Sequence, residues 1–469
     1  MKGLLKNEID MTHGGLMKKI ILVALPLALS GILQLLFNAA DLIIVGQFSD
    51  TPTSSLAAVG STTSLTHLII NLAIGLSVGA NVVMSQSIGA KDEEKANRTL
   101  HTAIALSLCC SVVMSAIGFF GARFFLQLMK SDPNVIDKAT LYLKIFFLGM
   151  PANLLYNFGA AILRAKGDTA RPMIFLSVAG IFNVGLNVVL VLLGLDVAGV
   201  AIATIASQYL SATLLLIVLL KETGVCKFSF KKLRFHKQEL IDIVKIGLPS
   251  GILNSCFSLS NVIIQSAINR FGDAMMAANA AASNIEGFIY TSMNAVSLSA
   301  LTFAGQNFGA KKYTRIKKVM LESSLLVLIV WFVLTTLVLA FASKLVWLYN
   351  KDEKIIEFAV QRLWYTITFY CLCGTNEVFV SGLRSMNRTI APVIFSLFCA
   401  CVFRIIWVFT VCQATGNPVT LYLSYPISWI ANLILSVSYF IFIYLKTIKQ
   451  AAKDKEPLPA PDETPTTVE

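Results

Sequence analysis

The sequence predicts an all-α integral membrane protein with twelve transmembrane helices, arranged as two pseudo-symmetric six-helix bundles. Three observations predict this fold: an apolar composition, the regular recurrence of long apolar runs, and an internal repeat. Hydrophobic residues make up 56% of the chain and charged residues only 14%, whereas soluble domains average about 25% charged residues. The surplus apolar surface must therefore face lipid, because a single core could not enclose it.

The apolar runs define the spans one by one. A spanning helix needs about 20 predominantly apolar residues, and such runs occupy nearly the whole chain. The twelve predicted spans cover residues 18–46, 57–84, 99–121, 139–161, 172–193, 197–220, 241–269, 276–304, 319–343, 355–382, 390–412 and 419–445.

These spans divide the chain into five parts. They are a cytoplasmic N-terminus (1–17), an N-terminal lobe (18–220), a basic cytoplasmic linker (221–240), a C-terminal lobe (241–445) and a cytoplasmic tail (446–469). The tail is polar and rich in proline, a composition that is typical of disorder. Each lobe holds six complete spans, so we expect a monomer.

The distribution of basic residues sets the orientation. With alternating loops and the N-terminus inside, 28 of the 38 Lys and Arg residues fall on the inner side and seven on the outer side. Cytoplasmic loops of membrane proteins carry such an excess, so both termini are predicted to be cytoplasmic, as in a multi-pass protein of the inner (plasma) membrane. The net charge of +12 is thereby explained without a nucleic-acid partner.

An internal repeat relates the two lobes. The segment Gln86–Lys91 matches Gln306–Lys311, and Leu163–Pro172 matches Leu383–Pro392, both at an offset of 220 residues. Because each lobe has an even number of spans, both lobes enter the membrane with the same orientation. Transporters use such parallel repeats to place a substrate site between two bundles that rock against each other. A duplicated scaffold without alternating access is the other interpretation.

Two prolines occupy repeat-equivalent positions near the start of each lobe. Pro26 pairs with Pro249, and Asn38 with Asn261, at an offset of 223. Proline removes a backbone hydrogen bond and bends a helix, so Pro26 and Pro249 are candidate hinges. A static kink needed for packing is the alternative.

Several motifs resemble the multidrug and toxic compound extrusion (MATE) family. They are Asn38–Gly46 in span 1, Leu56–Gly60, the Gly-Ala-Lys turns at 89–91 and 309–311, and Gly199–Thr204 in span 6, and the resemblance covers about residues 15–445. It implies a V-shaped fold of two lobes. It also implies export of amphipathic, often cationic compounds, driven by inward flow of Na⁺ or H⁺.

The chain departs from one branch of that family. The branch that resembles the DNA-damage-inducible-F type carries an Asn and an Asp one turn apart in span 5, where this chain has Asn183 and Asn187. A pair of aspartates is therefore not expected to bind the proton. Another branch keeps its acidic residues in the C-terminal lobe, and the resemblance implies a similar role for Glu286 and Glu377, although span 7 carries no acid beyond Asp242 at its inner end.

Ionisable groups at membrane depth are the candidates for ion coupling, because each costs about 2.5–3.5 kcal/mol on insertion scales. Asp41, Glu286, Glu377 and Arg404 lie inside predicted spans. A carboxylate can bind H⁺ or supply an anionic oxygen to Na⁺, and either ion cancels a buried charge. Asp41 is the first candidate.

The neighbours of these groups follow from their positions. Asn38 lies one turn from Asp41, and Asn183 and Asn187 are predicted to complete a polar patch with it. Glu286 and Arg404 are expected at comparable depth. They form either a buried ion pair that only locks the C-terminal lobe or a direct coupling site. His67 in span 2 is interpreted as a hydrogen-bonded packing residue.

Other classes of function are less consistent with the sequence. A flippase for lipid-linked oligosaccharides or peptidoglycan precursors, from the same wider superfamily, is the alternative transporter, but only Arg404 is clearly cationic inside a span. Enzymes and primary pumps are not indicated, since the chain lacks the HExxH and phosphate-binding glycine motifs and has no clustered histidines. We expect no cofactor and no metal centre, and we expect a small amphipathic or cationic substrate and membrane lipids as partners.

Overall fold

The computed structural model describes residues 9–48, 52–129, 133 and 135–453. Helices and turns account for these residues, with no β-strand among them. The α-helices are α1 Met17–Phe48, α2 Pro52–Gly89, α3 Glu93–Leu128, α4 Ile136–Leu148, α5 Met150–Ala165, α6 Ala170–Leu190, α7 Asp196–Lys221, α8 Lys237–Ile268, α9 Asp273–Gly309, α10 Tyr313–Ala340, α11 Ala342–Trp347, α12 Glu353–Ile367, α13 Tyr370–Ser385, α14 Ile390–Ser396, α15 Phe403–Trp407, α16 Gln413–Thr415 and α17 Pro418–Lys453. Three π-helical segments, Val191–Leu195, Leu397–Val402 and Val408–Cys412, interrupt this series.

These helices group into the twelve predicted spans at short breaks. Helices α4 and α5 form span 4 with a bend of 46° at Gly149, α12 and α13 form span 10, and α14–α16 with two π-helical segments form span 11. Spans 5 and 6 separate at Gly194, whose φ of 80° breaks the helix. The remaining spans are single helices, and α11 extends span 9.

Hydropathy alone finds fewer spans. Among the described residues, eight segments are long and apolar enough to cross a membrane, with α6 and α7 counted as one, or nine with the bent span 4. Spans 8 and 10 do not qualify. Both carry polar side chains that the lobe buries, such as Asn279 and Gln306 in span 8 and Arg362 in span 10. Their polar residues face protein rather than lipid, which is why mean hydropathy understates them.

Two segments outside the spans differ from simple loops. The linker at residues 221–240 packs onto the N-terminal lobe, where Phe228 is buried and stacks on His101 at 5.4 Å between ring centroids. Span 12 continues as helix to Lys453, so the predicted disordered tail is helical over residues 446–453, and its remainder lies outside the described residues. The side chain of His67 also lies outside them.

The two lobes meet through equivalent helices. Span 1 packs on span 8, span 7 packs on span 2, and spans 2 and 8 cross each other. The contact between spans 2 and 7 is backbone to backbone, because a Cβ at Gly75 would lie 2.1 Å from the nitrogen of Gly251, and one at Gly79 would lie 2.8 Å from the nitrogen of Gly247. The contact of span 1 with span 8 is equivalent to that of span 7 with span 2, as a two-fold axis along the membrane normal requires.

The repeated Gln-x-x-Gly motifs touch each other at one end of the molecule. A Cβ at Gly89 would lie 1.9 Å from the carbonyl oxygen of Gln306, and one at Gly309 would lie 2.0 Å from that of Gln86. Gln86 Nε2 donates to Ser385 O at 2.8 Å. The equivalent Gln306 Nε2 donates to the carbonyl oxygen of Ala165 at 2.7 Å. This end, which carries the Gly-Ala-Lys turns and is called the basic face below, is therefore closed.

The N-terminal residues 9–16 reinforce this closure. Met11 is completely buried against the C-terminal lobe, and its carbonyl oxygen accepts a hydrogen bond from Asn307 Nδ2 at 3.1 Å. Ile9 contacts the N-terminal lobe at Gly167, where a Cβ would lie 3.1 Å from the Ile9 nitrogen. The segment thus touches both lobes at the basic face.

Between described residues, the hydrogen bonds that join the two lobes extend only part of the way from the basic face. Among the described residues, the inter-lobe hydrogen bonds farthest from the basic face join Asn71 Nδ2 to Ser258 Oγ at 2.9 Å and Ser255 Oγ to Leu68 O at 3.2 Å. The result is a V of two six-helix lobes that meet at the basic face, which confirms the predicted architecture.

Candidate functional site

A carboxylate and two amides meet in the N-terminal lobe. Asn187 Nδ2 on span 5 donates to Asp41 Oδ1 on span 1 at 2.5 Å and to Asn183 Oδ1, one turn earlier, at 3.3 Å. The exposed fractions of Asn183 and Asn187 are 4% and 0%. Asn38, by contrast, is exposed and makes no side-chain hydrogen bond to the described residues. The structure brings together three members of the predicted patch and leaves out Asn38.

A close approach of spans 1 and 5 positions these groups. The ring of Phe37 occupies the space where a side chain on Gly180 would stand, with Phe37 Cε2 only 1.8 Å from the place of a Cβ. Phe37 lies about one turn before Asp41, and Gly180 about one turn before Asn183. The Phe37–Gly180 contact therefore sets the separation at which the carboxylate reaches the amide.

Among the described residues, the surroundings of Asp41 are largely apolar and provide no counter-ion. Val45 and Val191 pack together nearby with Val188 and Tyr142. Among the described residues, Asn187 is the only hydrogen-bond partner of Asp41, and no basic group pairs with it. The Oδ1 atom of Asn187 is buried without a hydrogen-bond donor. A charged carboxylate in such a place is costly, so this patch is suited to bind a cation.

The chemistry of the patch suits either of two ions. A proton on Asp41 would cancel its charge and turn the carboxyl into a donor that an amide oxygen such as Asn187 Oδ1 can accept. A Na⁺ ion would instead take the carboxylate and amide oxygens as hard ligands. Either ion cancels the charge of Asp41 and removes the cost of placing a charged carboxylate in an apolar environment, so the geometry fits H⁺ and Na⁺ equally.

The carboxylate of the C-terminal lobe has a different environment. Arg362 forms a bidentate ion pair with Glu286, Nε to Oε1 at 2.9 Å and Nη2 to Oε2 at 2.8 Å. Thr366 Oγ1 donates to Oε1 at 2.6 Å, and Tyr370 Oη donates to Oε2 at 3.3 Å. Glu286 is 5% exposed. Four hydrogen bonds and a full counter-charge therefore satisfy this buried carboxylate.

The predicted Glu286–Arg404 ion pair is wrong. The partner of Glu286 is Arg362, which lies inside the predicted span 10. From the sequence, Arg362 follows Glu353 by nine residues, so it lies about 14 Å along the helix at 1.5 Å per residue. If the depth of Arg362 is counted from the first residue of the helix, Glu353, rather than from the first residue of the apolar run, it matches the depth of Glu286.

Arg404 instead lies among aromatic side chains. Its Nε donates to Ser428 Oγ at 2.9 Å, and its guanidinium carbon lies 4.4 Å from the ring centroid of Tyr425 and 5.6 Å from that of Trp429. Tyr370, which contacts Glu286, stacks edge-on against Trp429 at 5.1 Å. The sequence pattern did not single out these rings, because aromatic residues are frequent in every span.

The other candidates lie apart from both sites. Glu377 on span 10 is half-buried and interacts electrostatically with Arg384, toward the basic face. Pro26 lies inside α1 and its carbonyl accepts from Ser30 Oγ at 2.8 Å, while Pro249 lies inside α8. A hinge role for the prolines and a coupling role for Glu377 stay predictions.

Taken together, the architecture is that of a multi-pass membrane transporter. It has two six-helix bundles that join at the basic face and, in one bundle, a partly buried carboxylate with no basic partner among the described residues. The model of the MatE family matches residues 26–189 and 249–410, more than half of the chain and one match in each lobe. The chain belongs to the MatE family of multidrug efflux transporters.

Individual relatives agree with this assignment. The chain is 26% identical to the probable multidrug resistance protein YoeA of Bacillus subtilis, over 91% of this chain and 93% of that protein. It is also 26% identical to an FAD transporter of Shewanella oneidensis, over 79% of this chain and 82% of that protein. The outward-facing structure of a MATE transporter of the MOP superfamily superimposes with a TM-score of 0.86 at 21% identity, covering 95% of this chain and 99% of that one.

Proposed function

We propose that the chain exports amphipathic, often cationic small molecules in exchange for H⁺ or Na⁺ that moves inward, with Asp41 as the residue that binds the coupling ion. One observation carries the proposal: Asp41 is largely enclosed, bonds only to a neutral amide, and has no basic partner among the described residues. A cation that binds and dissociates during the transport cycle stabilises such a carboxylate while it is bound. Glu286, in contrast, is already neutralised by Arg362.

The exchange mechanism follows from the position of Asp41. Span 1 packs on span 8 of the other lobe and on span 5 of its own lobe. A change in charge at Asp41 alters the span 1–span 5 contact and, through span 1, the contact between the lobes. A cation that crosses inward also gains about 2.3 kcal/mol per 100 mV of membrane potential.

The orientation belongs to the same proposal. The excess of Lys and Arg on the basic face supports a cytoplasmic location for that face and for both termini. The closed basic face then leaves the outer side of the plasma membrane as the side on which substrate is released. The names of the relatives support small organic molecules as cargo.

Efflux of ethidium from cells without their own exporters tests the proposal. We expect efflux from the wild type under an imposed H⁺ or Na⁺ gradient, at least about tenfold slower efflux with Asp41→Asn, and unchanged efflux with Asp242→Asn. Asp242 is a matched control, since it is a partly exposed aspartate on the basic face that pairs with Lys95 at 3.7 Å. The gradient that drives the wild type identifies the ion.

Two results would contradict the proposal. Gradient-driven efflux that survives Asp41→Asn would remove Asp41 from the coupling site and direct attention to Glu286 and Glu377. Absence of efflux under both gradients, with folded protein in the membrane, would count against multidrug export and favour transport of a lipid-linked substrate.

A further inference from the structure

The centre of the C-terminal lobe contains a buried cation that the mechanism above does not use. Arg404 is 5% exposed, and its electrostatic neighbours are the neutral groups Tyr425, Cys373, Cys401 and Tyr370. Among the described residues no carboxylate pairs with it, and its Nη2 atom is buried without a hydrogen-bond partner. A guanidinium carries five donors, and Ser428 takes only the Nε donor.

The comparison with Arg362 shows that this lobe is able to neutralise an arginine. Arg362 has Glu286 in a two-bond pair, as buried arginines ordinarily do. Arg404 lies in the same lobe, and Tyr370 and Trp429 connect the two arginines. An unpaired buried charge lowers stability. A transporter that keeps one therefore has it available for a ligand of opposite charge.

The backbone around Arg404 is also specialised. The short helix Phe403–Trp407 that carries Arg404 lies between two π-helical segments, Leu397–Val402 and Val408–Cys412. Such segments cost regular hydrogen bonding and occur often at functional sites. At the offset of 220, the segment Leu397–Val402 corresponds to residues 177–182, inside regular helix, so the repeat does not require that irregularity. The second segment, Val408–Cys412, overlaps the equivalent of Val191–Leu195 in the N-terminal lobe.

The rings beside Arg404 indicate what kind of anion it receives. Tyr425 and Trp429 flank the guanidinium at 4.4 and 5.6 Å, and the buried Ser260 on span 7 lies next to Cys401. Planar rings accept flat aromatic groups, and the free edge of a guanidinium forms paired bonds with a carboxylate or phosphate.

We propose that Arg404, Tyr425 and Trp429 form a substrate subsite that binds the carboxylate or phosphate of an aromatic, amphipathic anion. As a statement about cargo, this subsite rests on the proposed export function and extends it to substrates with an acidic group. As a binding site, it does not depend on ion coupling. The cation patch at Asp41 and the anion subsite at Arg404 then lie in different lobes.

Dye binding to the purified full chain in phosphatidylcholine nanodiscs tests the subsite. Fluorescein and rhodamine 6G share a xanthene ring system but carry opposite charge, and fluorescence anisotropy reports the binding of each. We expect Arg404→Gln to weaken fluorescein binding at least about tenfold, since a bond to a charged group is worth about 1.5–3 kcal/mol, and to leave rhodamine 6G binding unchanged or tighter. The fluorescein affinity of Arg404→Lys should lie between those of the wild type and Arg404→Gln, because lysine keeps the charge but lacks the planar guanidinium.

Two controls separate binding from folding and from overall charge. Lys344→Gln removes the same charge at an exposed position on α11 and should leave fluorescein binding unchanged. The melting temperature of ligand-free Arg404→Gln should equal or exceed that of the wild type, and fluorescein should raise the melting temperature of the wild type alone. A lower melting temperature together with unchanged fluorescein affinity would show that Arg404 is structural and would overturn the proposal.

The source of the oxyanion is tested by adding phosphatidylglycerol to the nanodiscs. If this lipid displaces fluorescein from the wild type only, the subsite holds a lipid phosphate; if it does not, the subsite holds a soluble anion. No fluorescein binding by the wild type in phosphatidylcholine would overturn the proposal. Because the assay needs no gradient, loss of ethidium efflux would refute the export proposal without affecting this one.

Discussion

The two lobes share a repeat, yet they treat their buried charges in opposite ways. In the N-terminal lobe Asp41 bonds to Asn187 and has no counter-ion among the described residues. In the C-terminal lobe Glu286 is fully paired with Arg362, and a second cation, Arg404, lies among aromatic rings. At the offset of 220, Arg362 corresponds to Tyr142, which lies beside Asp41. A tyrosine thus lies beside Asp41 at the position where, in the other lobe, an arginine pairs with Glu286.

The two halves of the repeat therefore agree more closely in the residues that join the lobes than in the residues inside each lobe. The glycines and glutamines at the basic face match across the repeat in both identity and contact. The residues at mid-membrane depth do not match. The lobes therefore share one way of closing against each other but offer different chemistry to what they bind.

The largest effect is expected from breaking the pair in the C-terminal lobe. Arg362→Met leaves Glu286 buried without its counter-charge, which costs about 3–5 kcal/mol, so the melting temperature in detergent should fall sharply. Asp41→Asn, in contrast, should leave the melting temperature unchanged or raise it. The double variant Glu286→Gln/Arg362→Met should recover most of the loss, since removal of both charges is often neutral. Equal destabilisation by Asp41→Asn and Arg362→Met would abolish the contrast between the lobes.

The next effect tests the shared closure at the basic face. Gly89→Ala and Gly309→Ala each place a Cβ about 2 Å from a backbone oxygen of the other lobe, so the lobes must separate, at a cost of about 1–3 kcal/mol. Hydrogen–deuterium exchange of residues 86–91 and 306–311 should become faster in both variants. Gly60→Ala is the control, because nothing lies within 4 Å of its Cβ position. Exchange that rises in only one of the two segments would contradict the two-fold closure.

A smaller effect concerns the glutamines. Gln86→Ala removes bonds to Ser385 O and Asn387 Oδ1 at 2.8 and 3.0 Å, and Gln306→Ala removes the bond to Ala165 O at 2.7 Å. Each loss should destabilise the closed basic face by about 1 kcal/mol, with Gln86→Ala at least as large. Hydrogen–deuterium exchange of residues 86–91 and 306–311 measures this destabilisation. No change in either variant would show that backbone contact alone closes this face.

The smallest effect sharpens the comparison between the equivalent turns. In the N-terminal lobe Glu222 pairs with Lys166 at 2.8 Å and with Arg171 at 2.9 Å, whereas the equivalent C-terminal positions are Met386 and Ala391. Burial raises the pKa of Glu222, but the bonds and charges of Lys166 and Arg171 outweigh it and hold that pKa below its ordinary value of 4.5.

The sign of the pH effect follows from that lowered pKa. A carboxyl whose pKa is lowered by folding stabilises the protein above its ordinary pKa, and this contribution disappears as the pH falls through the folded value. The melting temperature of the wild type should exceed that of Glu222→Gln by a constant amount from pH 7 to about 5. The difference should shrink below about pH 4.5. A difference that grows on acidification would contradict the assigned network.

The sequence by itself determined the fold class and the plan of the molecule. Twelve spans, two lobes and the repeat follow from where apolar runs and repeated motifs stand, because a bilayer fixes helix length and leaves few alternatives. The meeting of Asp41 with Asn183 and Asn187 was also predictable, since the repeat and the polar residues limited the choice of partners. The tail was predicted less well, because helix α17 continues to Lys453.

Only the tertiary structure decided which charges pair. The depth of a residue along a span can be counted from the sequence. The rotation of the helix about its axis and the bend of its backbone cannot be obtained in this way. The break between α12 and α13 and the π-helical segments beside Arg404 shift the direction in which side chains point. For that reason Glu286 contacts Arg362 rather than Arg404, and the unpaired arginine among Tyr425 and Trp429 becomes visible only when the helices are packed.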